Sequence, residues 1–206
     1  MIQKILHLSD THGLHRLLDT LPYADVLVHS GDFTLGGTEK EAFDFMEWFI
    51  ALPHPQKIFI AGNHDDCLYR ASLDGLPDNV HYLCHSGVEI GGLRFYGMPM
   101  FIRDSISGME ETYVRQIPPS TDILITHQPP LGIRDYSGHI HWGSFILLKQ
   151  LHLIKPKLHL FGHIHDNYGV EKTDGIICVN SSLVNNQYEL VNEPKLLVIS
   201  APAGIR

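Results

Sequence analysis

The sequence is poor in cysteine, in basic residues and in long apolar runs, and each shortage excludes a class of protein. Its three cysteines are odd in number and show no C-x-x-C spacing, which disfavours a disulfide framework and a thiolate zinc site. Lys and Arg number 15 against 23 Asp and Glu, a formal net charge of −8, which argues against a nucleic-acid polymer as partner. No apolar stretch approaches the roughly 20 residues that span a bilayer, and no signal peptide is visible. We therefore expect a cytoplasmic protein in a reducing compartment, with no membrane partner.

Histidine, in contrast, is abundant, with 15 residues in a chain of 206. Histidine is the commonest metal ligand and the usual acid–base group near neutral pH, so this excess points towards metal or proton-transfer chemistry. The length and the 44% hydrophobic content suffice for one substantial core. We expect residues 1–206 to form a single domain.

The first third of the chain alternates between strand and helix patterns. Residues 2–8, 24–29 and 57–61 are short runs rich in Val, Ile and Leu, separated by helix-like stretches. This is the βαβαβ pattern of a largely parallel, buried sheet. The clearest helix follows Thr38, because Thr38 and Glu41 form a capping-box sequence before an apolar periodicity of helical type, and Pro53 ends it.

The remainder of the chain predicts a second sheet, which we expect to be more antiparallel and to begin after Asp66. Gly91-Gly92 lies between two of its strands and predicts a tight hairpin turn. A helix is predicted over residues 143–153, and residues 176–180 and 196–199 complete the second sheet. The predicted strands of this part are residues 80–83, 88–90, 93–96, 122–126, 158–161, 176–180 and 196–199. We therefore expect an α/β fold with two sheets flanked by helices.

Chelating side chains follow most of these strands directly. Strand ends in an α/β sheet are where ligands and catalytic groups gather, so these motifs predict one shared site. Their nitrogen and oxygen donors, without sulfur, suit Mn, Fe, Zn, Co or Ni better than Mg or Ca. The motifs are Asp10-Thr11-His12, Gly31-Asp32, Gly62-Asn63-His64-Asp65, His127 and Gly162-His163-Ile164-His165.

In order and spacing these motifs resemble the calcineurin-like metallophosphoesterase superfamily, over the span from Asp10 to His165. The contexts THQPPLG at residues 126–132 and PKLHLFGHIHDNYG at residues 156–169 resemble the small metallophosphoesterase-domain proteins related to class III cyclic-nucleotide phosphodiesterases. The resemblance implies a four-layer α-β-β-α sandwich of two mixed sheets flanked by helices. It also implies a site for two divalent transition-metal ions, with Mn²⁺ favoured.

The same resemblance assigns roles to individual residues. A hydroxide activated by the two metals would attack a phosphodiester, and His64 would protonate the leaving group as general acid. The implied ligands of the first metal are Asp10, His12, Asp32 and His165, and those of the second are Asp32, Asn63, His127 and His163.

One position departs from the family pattern. Many members carry an acidic residue three positions after the bridging aspartate, where it orients the catalytic histidine, and this chain has Leu35 there. We therefore expect Asp65 to assist catalysis by orienting His64 or by stabilising its protonated form. The strength of the general acid is the open point.

The leading hypothesis is a metal-dependent phosphodiesterase acting on a small phosphodiester, with cyclic nucleotides as candidates. A phosphomonoesterase, including a phosphoprotein phosphatase, and a non-catalytic interaction module on the same fold are the alternatives. The oligomeric state is left open, as are substrate contacts from His139, His141, Arg103 and Arg134. His7, His29 and His159 lie inside strand patterns, and we assign them no chemistry.

Overall fold

The first sheet has five strands, four of them parallel. The computed structural model describes residues 2–18 and 20–200, so residues 1, 19 and 201–206 of the expected domain lie outside the described part. The strands are β1 (Ile2–Leu8), β2 (Val26–His29), β3 (Gln56–Phe59), β4 (Val80–Tyr82) and β13 (Lys195–Ser200). Their order is β13-β1-β2-β3-β4, and only β13 runs antiparallel to its neighbour.

The second sheet has six strands, with a parallel centre and antiparallel edges. The strands are β5 (Ser86–Ile90), β6 (Leu93–Met98), β7 (Ile123–Thr126), β10 (Leu158–Phe161), β11 (Gly169–Thr173) and β12 (Ile176–Asn180). Their order is β11-β12-β10-β7-β6-β5, and β5 and β11 are the antiparallel edges. A short hairpin of β8 (Tyr136–Ser137) and β9 (Ile140–His141) stands apart from both sheets.

Helices cover the outer face of each sheet. They are α1 (Glu39–Ala51), α2 (Ile102–Ser107), α3 (Met109–Arg115) and α4 (Phe145–Ile154). One apolar cluster joins α1 to the first sheet, a second lies between the sheets, and a third joins α3 and α4 to the second sheet. These layers confirm the predicted α-β-β-α sandwich. Within residues 2–18 and 20–200, no helix is long and apolar enough to cross a membrane.

Helix α1 begins at the predicted capping box. The Thr38 hydroxyl accepts a hydrogen bond from the Glu41 amide, and the Glu41 carboxylate accepts one from the Thr38 amide. The buried face carries Ala42, Phe45 and Phe49. Burial of each phenylalanine contributes about 1.5–3 kcal/mol to the free energy of unfolding, so α1 is held mainly by its packing on the first sheet.

Two strands were predicted in the wrong sheet. Residues 80–83 were expected to begin the second sheet, but β4 pairs in parallel with β3. Residues 196–199 were expected to complete the second sheet, but β13 pairs antiparallel with β1. An apolar alternation shows that one face of a strand is buried, and it does not specify the neighbouring strand.

Candidate metal centre

The predicted chelating residues meet where parallel strands of the two sheets end. Asp10 and His12 follow β1, Asp32 follows β2 and Asn63 follows β3. The other three ligands follow β7 and β10, and they are His127, His163 and His165. Three groups of side chains have potential ligand atoms within 4.8 Å of one another. They are Asp10, His12 and His165; His12, Asp32 and His64; and Asp32, His127 and His163.

One side of the centre is built from Asp10, His12 and His165. The Nε2 atom of His165 lies 3.4 Å from Asp10 Oδ1, and the Nε2 atom of His12 lies 4.0 Å from the same oxygen. The two imidazole nitrogens are 3.3 Å apart. Two neutral ring nitrogens and a carboxylate oxygen that converge in this way form a suitable partial shell for one divalent cation.

Asp32 lies between that group and the other side of the centre. Its Oδ2 atom is 3.8 Å from His12 Nε2 and 3.2 Å from His127 Nε2. Asn63 Oδ1 is 3.1 Å from the same nitrogen of His127, and His163 completes the group. Among the described carboxylates of the three groups, only Asp32 belongs to two of them, as expected of a bridging ligand.

Backbone carbonyls fix the orientation of three of these imidazole rings. The Nδ1 atoms of His12, His127 and His165 lie 3.2, 2.9 and 3.1 Å from the carbonyl oxygens of Thr34, Ser30 and Asn185. A carbonyl only accepts, so each Nδ1 carries the proton and each Nε2 presents its lone pair to the centre. This is the usual outer arrangement of metal-binding histidines, and it fits the residues to cations.

The charge balance of the centre also fits cations. Asp10 and Asp32 are almost completely buried, and within residues 2–18 and 20–200 their only basic partners within 4.0 Å are histidines. Burial by itself lowers the pKa of His127, but the Asp32 carboxylate more than offsets this and raises it to about 9. Burial and the neighbouring His127 lower the pKa of His163 to about 4. Buried carboxylates need compensating charge, which a protonated His127 supplies in part and which bound cations would supply in place of that proton.

Four ligand positions have strained backbones. Asp10, His12, Asp32 and His163 adopt positive φ angles of 54°, 41°, 56° and 69°, a region that residues other than glycine rarely occupy. Such strain concentrates at functional sites, where the surrounding structure holds it. Gly62 and Gly162 help to hold it, because a Cβ atom at either position would collide with the carboxylate of Asp32 or Asp10.

His64 lies beside this centre with one ring nitrogen engaged. Its Nδ1 atom is 2.9 Å from the carbonyl oxygen of Leu35. The ring lines a cleft of about 400 Å³, and Nε2 has no hydrogen-bond partner among residues 2–18 and 20–200. The ring is 4.7 Å from that of His12, centroid to centroid. The geometry therefore allows His64 either to transfer a proton or to act as a further ligand.

Asp65 does not have the contacts predicted for it. One carboxylate oxygen accepts from the amides of Asp32 and Gly62, and the other accepts from the amide of Thr34. Burial and the charge of Asp32 raise the pKa of Asp65 to about 7. The prediction that Asp65 orients the ring of His64 is wrong, because the carboxylate turns inward and organises the backbone that carries Asp32.

Several residues of the site were missed in the sequence. Ser182 Oγ donates to Asp10 Oδ2 over 2.8 Å, and the Asn185 carbonyl orients His165. Both lie in the polar segment that follows β12, so the strand-end rule that identified the other motifs also applied here. Further uncharged side chains line the cleft: Ser137, Trp142, Asn186 and Tyr188.

The residues left open as substrate contacts are engaged elsewhere. His141 Nδ1 is 2.7 Å from the buried carboxylate of Asp135. Arg103 pairs with Asp66 over 3.1 Å, and Arg134 donates to the carbonyl of Val170. Tyr136 OH lies 3.4 Å from His139 Nδ1. None of these four candidates is among the described residues that line the cleft.

The fold and the site define a known class of protein. The family model described as calcineurin-like phosphoesterase matches residues 3–167, and the chain belongs to that family. The predicted family is thereby confirmed. Family membership and the three ligand groups support a metal-dependent phosphoesterase, a hydrolase of phosphoester bonds.

Particular relatives are similar over nearly the whole chain. Metallophosphoesterase domain-containing protein 1 of Homo sapiens is 35% identical, covering 94% of this chain and 70% of the relative. UPF0046 protein K07C11.7 of Caenorhabditis elegans is 34% identical, covering 95% and 75%. The crystal structure of TT1561 of Thermus thermophilus has a TM-score of 0.64 at 13% identity, covering 98% of this chain and all of that one. That likeness shows the shared fold.

Proposed function

We propose that the protein hydrolyses a small phosphodiester with the help of two divalent transition metals, with Mn²⁺ favoured. The observation that carries the proposal is the convergence of seven chelating residues at one centre, which opens into a cleft that His64 also lines. Asp10, His12, Asp32 and His165 would hold one metal, and Asp32, Asn63, His127 and His163 the other. Bound cations supply Lewis-acid stabilisation of a phosphoryl group and activation of water.

The residues of the chain contribute the remaining steps. The carboxylates and imidazoles hold the centre rigidly, because their backbones and outer hydrogen bonds are fixed by the fold. With Nδ1–H directed at Leu35 O, His64 presents only Nε2 to a substrate in the cleft. When protonated there, His64 would donate a proton to the departing oxygen as general acid.

A comparison of substrates tests the proposal. Protein reconstituted with Mn²⁺ should hydrolyse bis(p-nitrophenyl) phosphate and 2′,3′- or 3′,5′-cyclic nucleotides faster than p-nitrophenyl phosphate. His127→Ala, which removes a proposed ligand, should reduce turnover to background. Preference for the monoester would favour the phosphomonoesterase alternative. Failure to retain or take up metal, measured by elemental analysis, would favour the interaction module.

His64→Gln distinguishes the two roles open to His64. As general acid, its loss should lower turnover of cyclic nucleotides by roughly 10²–10⁴-fold while the metal content stays at the wild-type value. Loss of metal from this variant would instead assign His64 as a ligand. A cytoplasmic location, a small phosphoester substrate, and the absence of nucleic-acid and membrane partners remain predictions, and the oligomeric state stays open.

A further inference from the structure

The loop before helix α1 connects Glu41 to the edge of the metal centre. The Glu41 carboxylate accepts hydrogen bonds from the amides of Leu35 and Gly36, over 3.2 and 2.9 Å. It also accepts from the amide and the hydroxyl of Thr38, over 3.0 and 2.7 Å. These donors, with the Thr38 hydroxyl foremost, lower the pKa of Glu41 to about 2. The carboxylate is therefore ionised at neutral pH and holds the loop in one conformation.

The same loop contacts His64 at two points. The Leu35 carbonyl accepts from the Nδ1–H of the ring over 2.9 Å. The Thr34 hydroxyl lies 2.8 Å from the carbonyl oxygen of His64. Leu35 is 49% exposed, and its hydrogen bonds to Glu41 and His64 come from its backbone. The loop thus supplies the hydrogen-bond acceptor that an acidic side chain at position 35 would otherwise provide.

A single peptide plane joins Glu41 to His64. The carbonyl of Leu35 and the amide of Gly36 belong to the same peptide unit, and one faces His64 while the other faces Glu41. A peptide unit is planar and rigid, so a rotation that misaligned the carbonyl would also break the bond to Glu41. Hydrogen bonds in such a chain polarise one another, and an anion at one end strengthens the acceptor at the other.

We propose that Glu41 is a positioning residue for His64, acting through the Leu35–Gly36 peptide. The charged carboxylate fixes the carbonyl, and the carbonyl fixes the proton on Nδ1 and directs Nε2 into the cleft. The inference rests on the proposed function, because it assigns His64 the transfer of a proton. A capping role for Glu41 in helix α1 is the competing explanation.

Glu41→Gln separates positioning from capping. Glutamine also serves in a capping box, but it offers one acceptor oxygen where Glu41 uses two and removes the charge. Leu35→Ala is the matched control, because it changes the side chain and keeps the carbonyl. Thr38→Ala is the second control, because it removes the N-cap hydroxyl and keeps the donors of Leu35 and Gly36. Thermal unfolding identifies any variant that fails to fold.

The first readout is the state of the His64 ring, measured independently of turnover. Long-range ¹H–¹⁵N spectra of the zinc-loaded protein should show His64 as one fixed Nδ1–H tautomer, assigned by its loss in His64→Gln. Leu35→Ala and Thr38→Ala should keep this signal. Glu41→Gln should shift or broaden it through tautomer exchange. An unchanged His64 signal in Glu41→Gln would overturn the proposal.

The second readout is the dependence of turnover on the leaving group. In a series of phosphodiesters with leaving groups from p-nitrophenol to an alkyl alcohol, Glu41→Gln should lower kcat up to about 100-fold for the alkyl ester, as misplacement of a catalytic group does. The p-nitrophenyl ester should change little, because its leaving group needs little protonation. A uniform loss across the series would make Glu41 purely structural. Absence of turnover in the wild type would refute the proposed function, and the spectra would still decide whether Glu41 positions the ring.

Discussion

Histidines occupy two adjoining regions of the molecule, and the two regions offer them different partners. The cleft histidines are His12, His127, His163 and His165, and the strand histidines are His7, His29 and His159, inside β1, β2 and β10. His127 and His159 are both 0% exposed. Asp32 raises the pKa of His127 to about 9, whereas burial lowers the pKa of His159 to about 3. Both rings are fully buried, so the Asp32 carboxylate beside His127 accounts for the difference between these two pKa values.

The partners of the strand histidines are hydroxyl groups. His7 lies 2.8 Å from the hydroxyls of Ser30 and Ser181, and His159 lies 2.8 Å from that of Thr126. A hydroxyl can donate or accept, so it satisfies a neutral ring without favouring the charged form. The carboxylates of the cleft do favour the charged form or a cation in its place. The strand histidines thus form a neutral, buried group, called the support here, inside the strands that lead to the centre.

Asp32→Asn should have the largest effect, because it removes the carboxylate shared by both sides of the metal centre. We expect a fall in kcat larger than the roughly 10–100-fold that outer partners of metal ligands contribute, together with loss of metal. Steady-state kinetics and elemental analysis measure both effects. Asp174→Asn, at an exposed contact with His152, is the control and should behave as wild type. Full metal content in Asp32→Asn would remove Asp32 from its bridging role.

Two adjacent serines, Ser181 and Ser182, provide a second test, for which we expect effects of intermediate size. Ser182 donates to Asp10 in the cleft, and Ser181 lies against His7 in the support. Ser182→Ala should weaken metal affinity by about 10-fold or more, measured by competition with a chelator. Ser181→Ala should leave that affinity unchanged and lower the free energy of unfolding by about 1 kcal/mol, the usual net worth of a hydrogen bond. Equal effects on metal affinity would show that the two regions are not separate.

His159→Leu has the smallest expected effect, and it tests whether this strand histidine is held neutral in the folded protein. The folded pKa is about 3 and the unfolded one about 6.5, so the unfolded chain takes up a proton first as the pH falls. The stabilisation is complete above pH 6.5 and is lost below it, by about 2 kcal/mol at pH 5.

Urea unfolding at pH 7 and pH 5, with EDTA present, should show this acid sensitivity reduced in His159→Leu by that amount. Thr126 keeps an acceptor in the variant, because its hydroxyl also reaches the carbonyl of Gln128. Identical pH dependence in the two proteins would mean that His159 is not held neutral.

The sequence predicted the features that depend on local signals. Strand β1 ends at Leu8, immediately before the Asp10 motif, and α1 starts at its capping box, because both are encoded by neighbouring residues. Strand β13 was assigned to the wrong sheet because its partner β1 is at the other end of the chain. Helices α2 and α3 were not predicted, since neither starts with a side-chain cap.

Within the site, the contact predicted from neighbouring positions in the sequence is not formed. Asp65 follows His64 directly, but the turn directs its carboxylate to the amides of Asp32, Gly62 and Thr34. The true partner of the ring is a backbone carbonyl, and every residue has one. Ser182 and Asn185 were missed because neutral polar residues do not by themselves indicate metal chemistry.

The hydrogen bond from His64 to the carbonyl of Leu35 affects which natural substitutions the protein should tolerate. A substitution at position 35 by any residue except proline keeps both backbone groups, so natural variation of that side chain should be tolerated. A codon change at position 41 removes the group that holds the loop. We therefore expect natural variants at position 41, in contrast to those at position 35, to reduce the activity of the protein.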